Sequence, residues 1–160
     1  MNKPLKINSS YKIDYNIDTT FKPELVYIPL ENRYGNTYKY LVKEGDYVYK
    51  GQVVAINKSY DFPIHSSVSG YAVCGSNKII SNGKKIKCVV IENDFKEKYE
   101  KSKLKKKDIS KYTKEMFIND LRENGISGLG GADYPTFLKY SIDNIKCLIV
   151  NAVECEPFVS

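Results

Sequence analysis

The turn Gly128-Leu129-Gly130-Gly131-Ala132-Asp133 sets three glycines within four positions. Glycines spaced this closely leave no Cβ atoms in the way, so backbone N–H groups can approach a phosphate or a flat aromatic ring. Further on, Asn151-Ala152-Val153-Glu154-Cys155-Glu156-Pro157 follows an apolar run at 146–150. Loops at the carboxyl ends of strands hold ligands in α/β proteins, and an amide with two carboxylates suits ribityl hydroxyls or ring nitrogens. Each stretch also has a plain structural reading: a glycine turn joining two helices, and a polar turn ended by proline. The glycine turn is not a dinucleotide fingerprint, which needs glycine or alanine where Asp133 stands and a strand before the turn. It is not a P-loop either, since no Gly-Lys-Ser/Thr follows.

Other chemistries lack their residues. The four cysteines, Cys74, Cys88, Cys147 and Cys155, form no CxxC pair, which removes the usual spacing of zinc and cysteine-bound iron–sulfur sites. They read as reduced thiols. The only histidine, His65, lies in FPIHSSVSG and reads as a structural loop residue. No metal site and no catalytic acid, base or nucleophile is expected.

The elements that must position the glycine turn fall into two patterns. From residue 25 to residue 92, short β-type runs alternate with turn residues: 25–30, 38–43, 52–56, 70–74 and 86–92. Such spacing, with no helical period between the runs, predicts a small all-β barrel or sandwich. Around the turn the pattern becomes helical. Thr113 is a candidate N-cap, Phe117 and Leu121 share a face, and Gly125 suits C′, which predicts a helix over 113–124. Pro135 at a first helical position opens a second, short helix through Tyr140. The apolar run at 146–150 reads as a buried parallel strand, and its partners are expected either in the β region or downstream.

The chain has 160 residues, 42% hydrophobic and 28% charged, the composition of a folded domain rather than a disordered chain. No apolar run approaches the roughly 20 residues of a membrane-spanning helix. The first twenty residues show no secretory pattern, so the expected compartment is the cytoplasm. Of the net charge of +6, five charges come from 96–111, where eight lysines face three acidic residues. That stretch reads as a solvated linker or surface helix, with docking onto an acidic partner or an anionic membrane surface as the functional alternative. No nucleic-acid recognition module is present.

GLGGADYPTFLKY followed by NAVECEP resembles the nucleotide-binding module of the RnfC family, the C subunits of Rnf-type electron transport complexes. More distantly, it resembles the flavin- and NADH-binding subunit of respiratory complex I. Upstream, VYIPLENRYGNTYKYLVKEGDYVYKGQVVA and FPIHSSVSGYAV resemble the barrel-sandwich hybrid region of the same RnfC family. A proline-reductase-associated member of that family is equally compatible.

The resemblance implies an α+β chain: a barrel-sandwich hybrid over 22–95, preceded by an extension at 1–21. A basic linker at 96–112 then leads to the start of an FMN/NADH-binding α/β domain at 113–160. It implies electron transfer between NADH and iron–sulfur partners through FMN, as the N-terminal part of a membrane-associated oxidoreductase subunit on the cytoplasmic face. Other subunits of the complex would be its partners. By motif, Gly128, Gly130 and Gly131 form the flavin loop, Lys139 approaches the flavin phosphate or ribityl chain, and Asn151 and Glu154 face the flavin. Tyr134 stands where the family has phenylalanine and supplies an aromatic wall. Asp133 departs from the family's glycine and sets a carboxylate near a phosphate.

Iron–sulfur clusters are expected only in a region that lies beyond residue 160. The 160 residues alone are expected to bind FMN weakly or not at all and to be inactive. Two alternatives remain. One is a non-catalytic docking module that uses the β region and the lysine segment. The other is a biotinyl- or lipoyl-like carrier, for which Lys58 in AINKSYDF lacks the usual neighbours.

Overall fold

In a computed structural model, the structure describes residues 20–32, 35–79, 83–100, 108–128, 134–147 and 149. Two compact units divide the chain, Lys22–Asp143 and a second that groups Met1–Phe21 with Asn144–Ser160. The described residues of the second unit carry no helix or strand.

Lys22–Asp143 is an α+β unit. Its strands are β1 (Leu25–Pro29), β2 (Lys39–Tyr40), β3 (Tyr47–Val48), β4 (Val53–Asn57), β5 (Phe62–His65), β6 (Gly70–Ile79) and β7 (Lys85–Asn93). They form a four-stranded sheet in the order β1-β7-β6-β3 and a three-stranded sheet in the order β2-β4-β5, antiparallel throughout. Alternation decides which side chains meet. Ile28 and Leu30, then Val89 and Ile91, are spaced by two and share one face. They close with Val42, Val48, Val54, Ala55 and Ala72 into one core. Val48, Val54, Ala55 and Ile91 are fully buried.

The five strands expected between residues 25 and 92 are found, β2 much shorter than its run at 38–43 and β6 and β7 longer than theirs. β3 and β5 are additions. His65 therefore ends a strand instead of lying in a loop.

Two helices follow. Thr113 accepts a hydrogen bond from the Met116 N–H at 3.2 Å and caps α1 (Lys114–Glu123), as its position before the apolar residues predicts. The second helix, α2 (Thr136–Tyr140), begins one residue after Pro135. No strand forms at 146–150 in the described residues: Lys146, Cys147 and Ile149 are unpaired by any strand, and Ile149 is 86% exposed. A parallel strand draws its burial and its ladder from neighbours, and the described residues of this second unit include no strand.

The end of β7 is tied to the barrel by a polar knot. Asp94 accepts hydrogen bonds from Tyr47 Oη and Ser69 Oγ, both at 2.7 Å, and from the Lys96 N–H at 3.0 Å. Ser69 Oγ in turn accepts from the Lys98 N–H at 3.0 Å. Burial pushes the Asp94 carboxyl up, but the hydrogen bonds from Ser69, Tyr47 and Lys96, helped by the Lys96 charge, overcome it and bring the pKa down to about 2 from 3.8. The fold therefore favours the ionised form. Its contribution is complete above the ordinary carboxylate pKa and is lost as pH falls toward 2. Melting curves of the protein and of Asp94→Asn should differ most above pH ~4 and converge toward pH ~2; parallel curves would remove Asp94 from the acid response.

Candidate functional site

The described residues that flank the glycine turn form a neck next to the two helices. α1 ends in a Schellman motif: Gly125, at φ 63°, donates to the Arg122 carbonyl, and Ile126 N–H reaches back to the Leu121 carbonyl, both at 3.0 Å. The closure satisfies carbonyls left open at the helix end. Directly after it, Ser127 forms an antiparallel bridge with Pro135. The Gly128 N–H donates to the Tyr134 carbonyl at 3.3 Å, and the Thr136 N–H donates to the Ile126 carbonyl at 2.9 Å. Ile126, Ser127 and Gly128 thus run beside Tyr134, Pro135 and Thr136 in a short ladder, and the rest of the glycine turn, 129–133, lies outside the described residues.

The ladder is seated on the barrel. Phe137 of α2, 7% exposed, stacks on Phe62 of β5 with ring centroids 6.1 Å apart. The Arg122 guanidinium lies 5.9 Å from the Phe137 ring centre, within cation–π range. Gly125 lies against β5 so closely that a Cβ there would stand 2.7 Å from the Pro63 carbonyl oxygen and 3.4 Å from His65 Nδ1. His65 belongs to this seat, beside the helix end.

Of the expected site residues, the structure brings three together. A Cβ on Gly128 would meet nothing within 4 Å, so the neck opens outward there. Tyr134, 45% exposed, sits across the ladder from it, and Lys139 Nζ, one helical turn into α2, lies 5.9 Å from the Tyr134 ring centre. An open glycine, an accessible ring and a cation share one side of the neck. Gly130, Gly131, Asp133, Asn151 and Glu154 lie outside the described residues. The ladder itself escaped sequence reasoning, although the β-branched residues Ile126 and Thr136 flanking the turn were a signal for it.

Remaining candidates take their places simply. Lys58 lies in the turn between β4 and β5, where Asn57 Oδ1 accepts from the Ser59 and Tyr60 N–H groups. Cys88 and Cys147 are free thiols, Cys88 buried and its pKa raised by that burial. No cluster of metal-ligating side chains occurs among the described residues, nor any helix long and apolar enough to cross a membrane.

Two antiparallel sheets closed on one core and followed by two short helices define an α+β class. Residues 6–96 match the RnfC barrel sandwich hybrid domain and residues 121–160 the Nuo51 FMN-binding domain. The first match covers more than half of the chain, and the chain belongs to the RnfC family.

Among its relatives is the C subunit of the ion-translocating oxidoreductase complex of Actinobacillus succinogenes, 34% identical over 149 residues, covering 90% of this chain and 21% of that protein. The C subunit of the Na(+)-translocating ferredoxin:NAD(+) oxidoreductase complex of Acetobacterium woodii is 32% identical over 143 residues, covering 87% and 32%. The corresponding protein of the ion-translocating oxidoreductase complex of Yersinia enterocolitica is 29% identical over 160 residues, covering 98% and 22%. The chain spans between a fifth and a third of the length of these three relatives.

Proposed function

We propose that this chain is the N-terminal part of an electron-transferring, NADH- and FMN-binding subunit of an Rnf-type oxidoreductase, held peripherally at the membrane by its partner subunits. The observation that carries the reading is the neck: the segment that matches an FMN-binding domain begins in α1 and includes the ladder, which is seated on the barrel. FMN, when bound, would accept one hydride, two electrons, from NADH and release the electrons singly, chemistry that belongs to the cofactor.

The described residues fit that group. The open side of Gly128 leaves room for a ligand against the backbone, Tyr134 offers a ring face for stacking, and Lys139 offers a cation for a phosphate. Gly130 and Gly131 would continue the backbone surface, and Asn151 and Glu154 would supply polar contacts.

Native protein captured with an antibody against the β region should release FMN on denaturation, and NADH should bleach the bound flavin. Lys139→Glu is expected to weaken flavin retention about tenfold through loss and reversal of one phosphate contact. Flavin-free native protein, or retention unchanged in Lys139→Glu, would remove the assignment. The 160 residues alone should bind FMN more weakly than about micromolar, because flavin-sized ligands are held by burying about 70–90% of their surface.

A further inference from the structure

The barrel carries a groove that the flavin reading does not use. Two adjoining hollows of about 380 and 370 Å³ share Leu30, Tyr40 and Lys87. Their floor is the margin of the core, where Leu30, Val42, Ala72 and Val89 are buried. One wall is the end of β2, with Tyr40 about half exposed. The other is the β6-β7 ribbon, where Gly75 lets the backbone lie flush: a Cβ there would stand 3.2 Å from both the Cys88 carbonyl oxygen and Lys87 Cε.

Both walls end in strand edges. β2 is the terminal strand of its sheet. On β6, pairing with β3 stops at Tyr71, and one further exchange ties Ala72 to Gly45 and Asp46. From Val73 to Ile79 no described residue pairs with that outer edge. The register of β6 shifts between Val73 and Ser76, and the regular edge beyond it, Ser76–Ile79, with an apolar floor beside it, is a template for an added strand.

Charge selects what that strand carries. Lys39, Lys43 and Lys87 line the groove, all exposed, and Lys87 Nζ is held 5.0 Å from the Tyr40 ring centre. Two acidic residues lie there, Glu31 and Glu44; Glu31 is paired with Lys84, and the three lysines outnumber Glu44. We infer that the groove between β2 and β6 is a docking site for an extended segment of a protein partner, in which apolar residues alternate with aspartate or glutamate. Its backbone would extend the sheet along β6. Its apolar side chains would cover Val42, Ala72 and Val89, and its carboxylates would meet Lys43 and Lys87. Docking here does not depend on flavin.

The test uses the full chain and two short fluorescent peptides, capped at both ends, one alternating valine with glutamate and the other valine with lysine. The glutamate peptide should bind at submillimolar concentration, weaken as salt rises, and lose about tenfold in affinity to the double variant Lys43→Glu, Lys87→Glu. Lys87→Gln, a milder change, should lose about threefold, and melting curves of both variants should match the parent's. Absence of binding at about 1 mM, equal affinity for the lysine peptide, or affinity unchanged in both variants would overturn the inference. Self-association of the chain that the double variant abolishes would also overturn it, by showing a second copy in the groove.

Discussion

Gly70→Ala should cost this protein most of its stability, about 4 kcal/mol or more, placing it among the exceptional single substitutions. Gly70 opens β6 where β6 passes between β3 and β7, opposite Val48 and Asn93. Its φ of 157° aims the missing side chain at the neighbouring strand, and a Cβ there would lie 1.8 Å from the Glu92 carbonyl oxygen and 2.8 Å from the Glu92 carbonyl carbon. Both are backbone atoms of a paired strand, so no rotamer relieves the overlap. Either β7 moves or the pairing opens.

The loss would spread, because Ser69 and Asn93 flank the same crossing. Asp94 N–H donates to the Ser69 carbonyl at 3.1 Å, and Ser69 Oγ holds the Asp94 carboxylate. Since small domains are stable by only about 5–15 kcal/mol, the variant should be left with little margin against unfolding. Urea titration followed by circular dichroism measures it, with Gly83→Ala as the control. At Gly83 φ is also positive, 79°, yet nothing lies within 4 Å, so the cost there should be only about 1 kcal/mol. Equal losses at the two positions would show that the clash at Glu92 is relieved without cost.

What could be read from the residues, and what could not, divides along a physical line. Alternation at Ile28 and Leu30 and at Val89 and Ile91 marks faces that are buried on one side, so those strands announce themselves. Thr113 and Gly125 mark the ends of α1 because capping is a local interaction. β3 has only two residues, too few for any period. β5 contains Pro63, a residue that argues against a strand; it is tolerated because β5 is terminal in its sheet.

Long-range partnerships left no local trace at all. Asp94 meets Tyr47 and Ser69 across separations of 47 and 25 residues, and Phe137 meets Phe62 from a different element. Lys146, Cys147 and Ile149, the described residues of the apolar run at 146–150, depart in the opposite sense, since the run's composition promised burial that only partner strands can supply. In the candidate site, residue types were legible at Gly128, Tyr134 and Lys139. The ladder that sets them on one side was not.

Gly125 shows how much rests on such a partnership. As the C′ residue of α1 its glycine is expected from helix chemistry alone, and alanine at φ 63° would cost about 1 kcal/mol. The barrel adds a second demand: an alanine Cβ would stand 2.7 Å from the Pro63 carbonyl oxygen, a backbone atom of β5. Gly125→Ala should therefore lift the end of α1 off the barrel, strain the Phe62–Phe137 stack, and cost about 2–3 kcal/mol in all. The damage should be local, because the barrel core contains no residue of either helix.

Hydrogen exchange separates the two regions. Amides of Lys114–Glu123 should lose protection about 30-fold or more, while those of Val89, Val90 and Ile91 change far less. Loss confined to the C-terminal turn of α1 would reduce Gly125 to a helix cap. Equal loss in both regions would show that barrel and hairpin open as one cooperative unit. If the helices alone loosen, flavin retention by the native protein should fall as well, since Gly128, Tyr134 and Lys139 are held by the ladder and helix that Gly125 seats on β5. A chain with loosened helices and full flavin content would mean that the ladder holds these residues without the barrel.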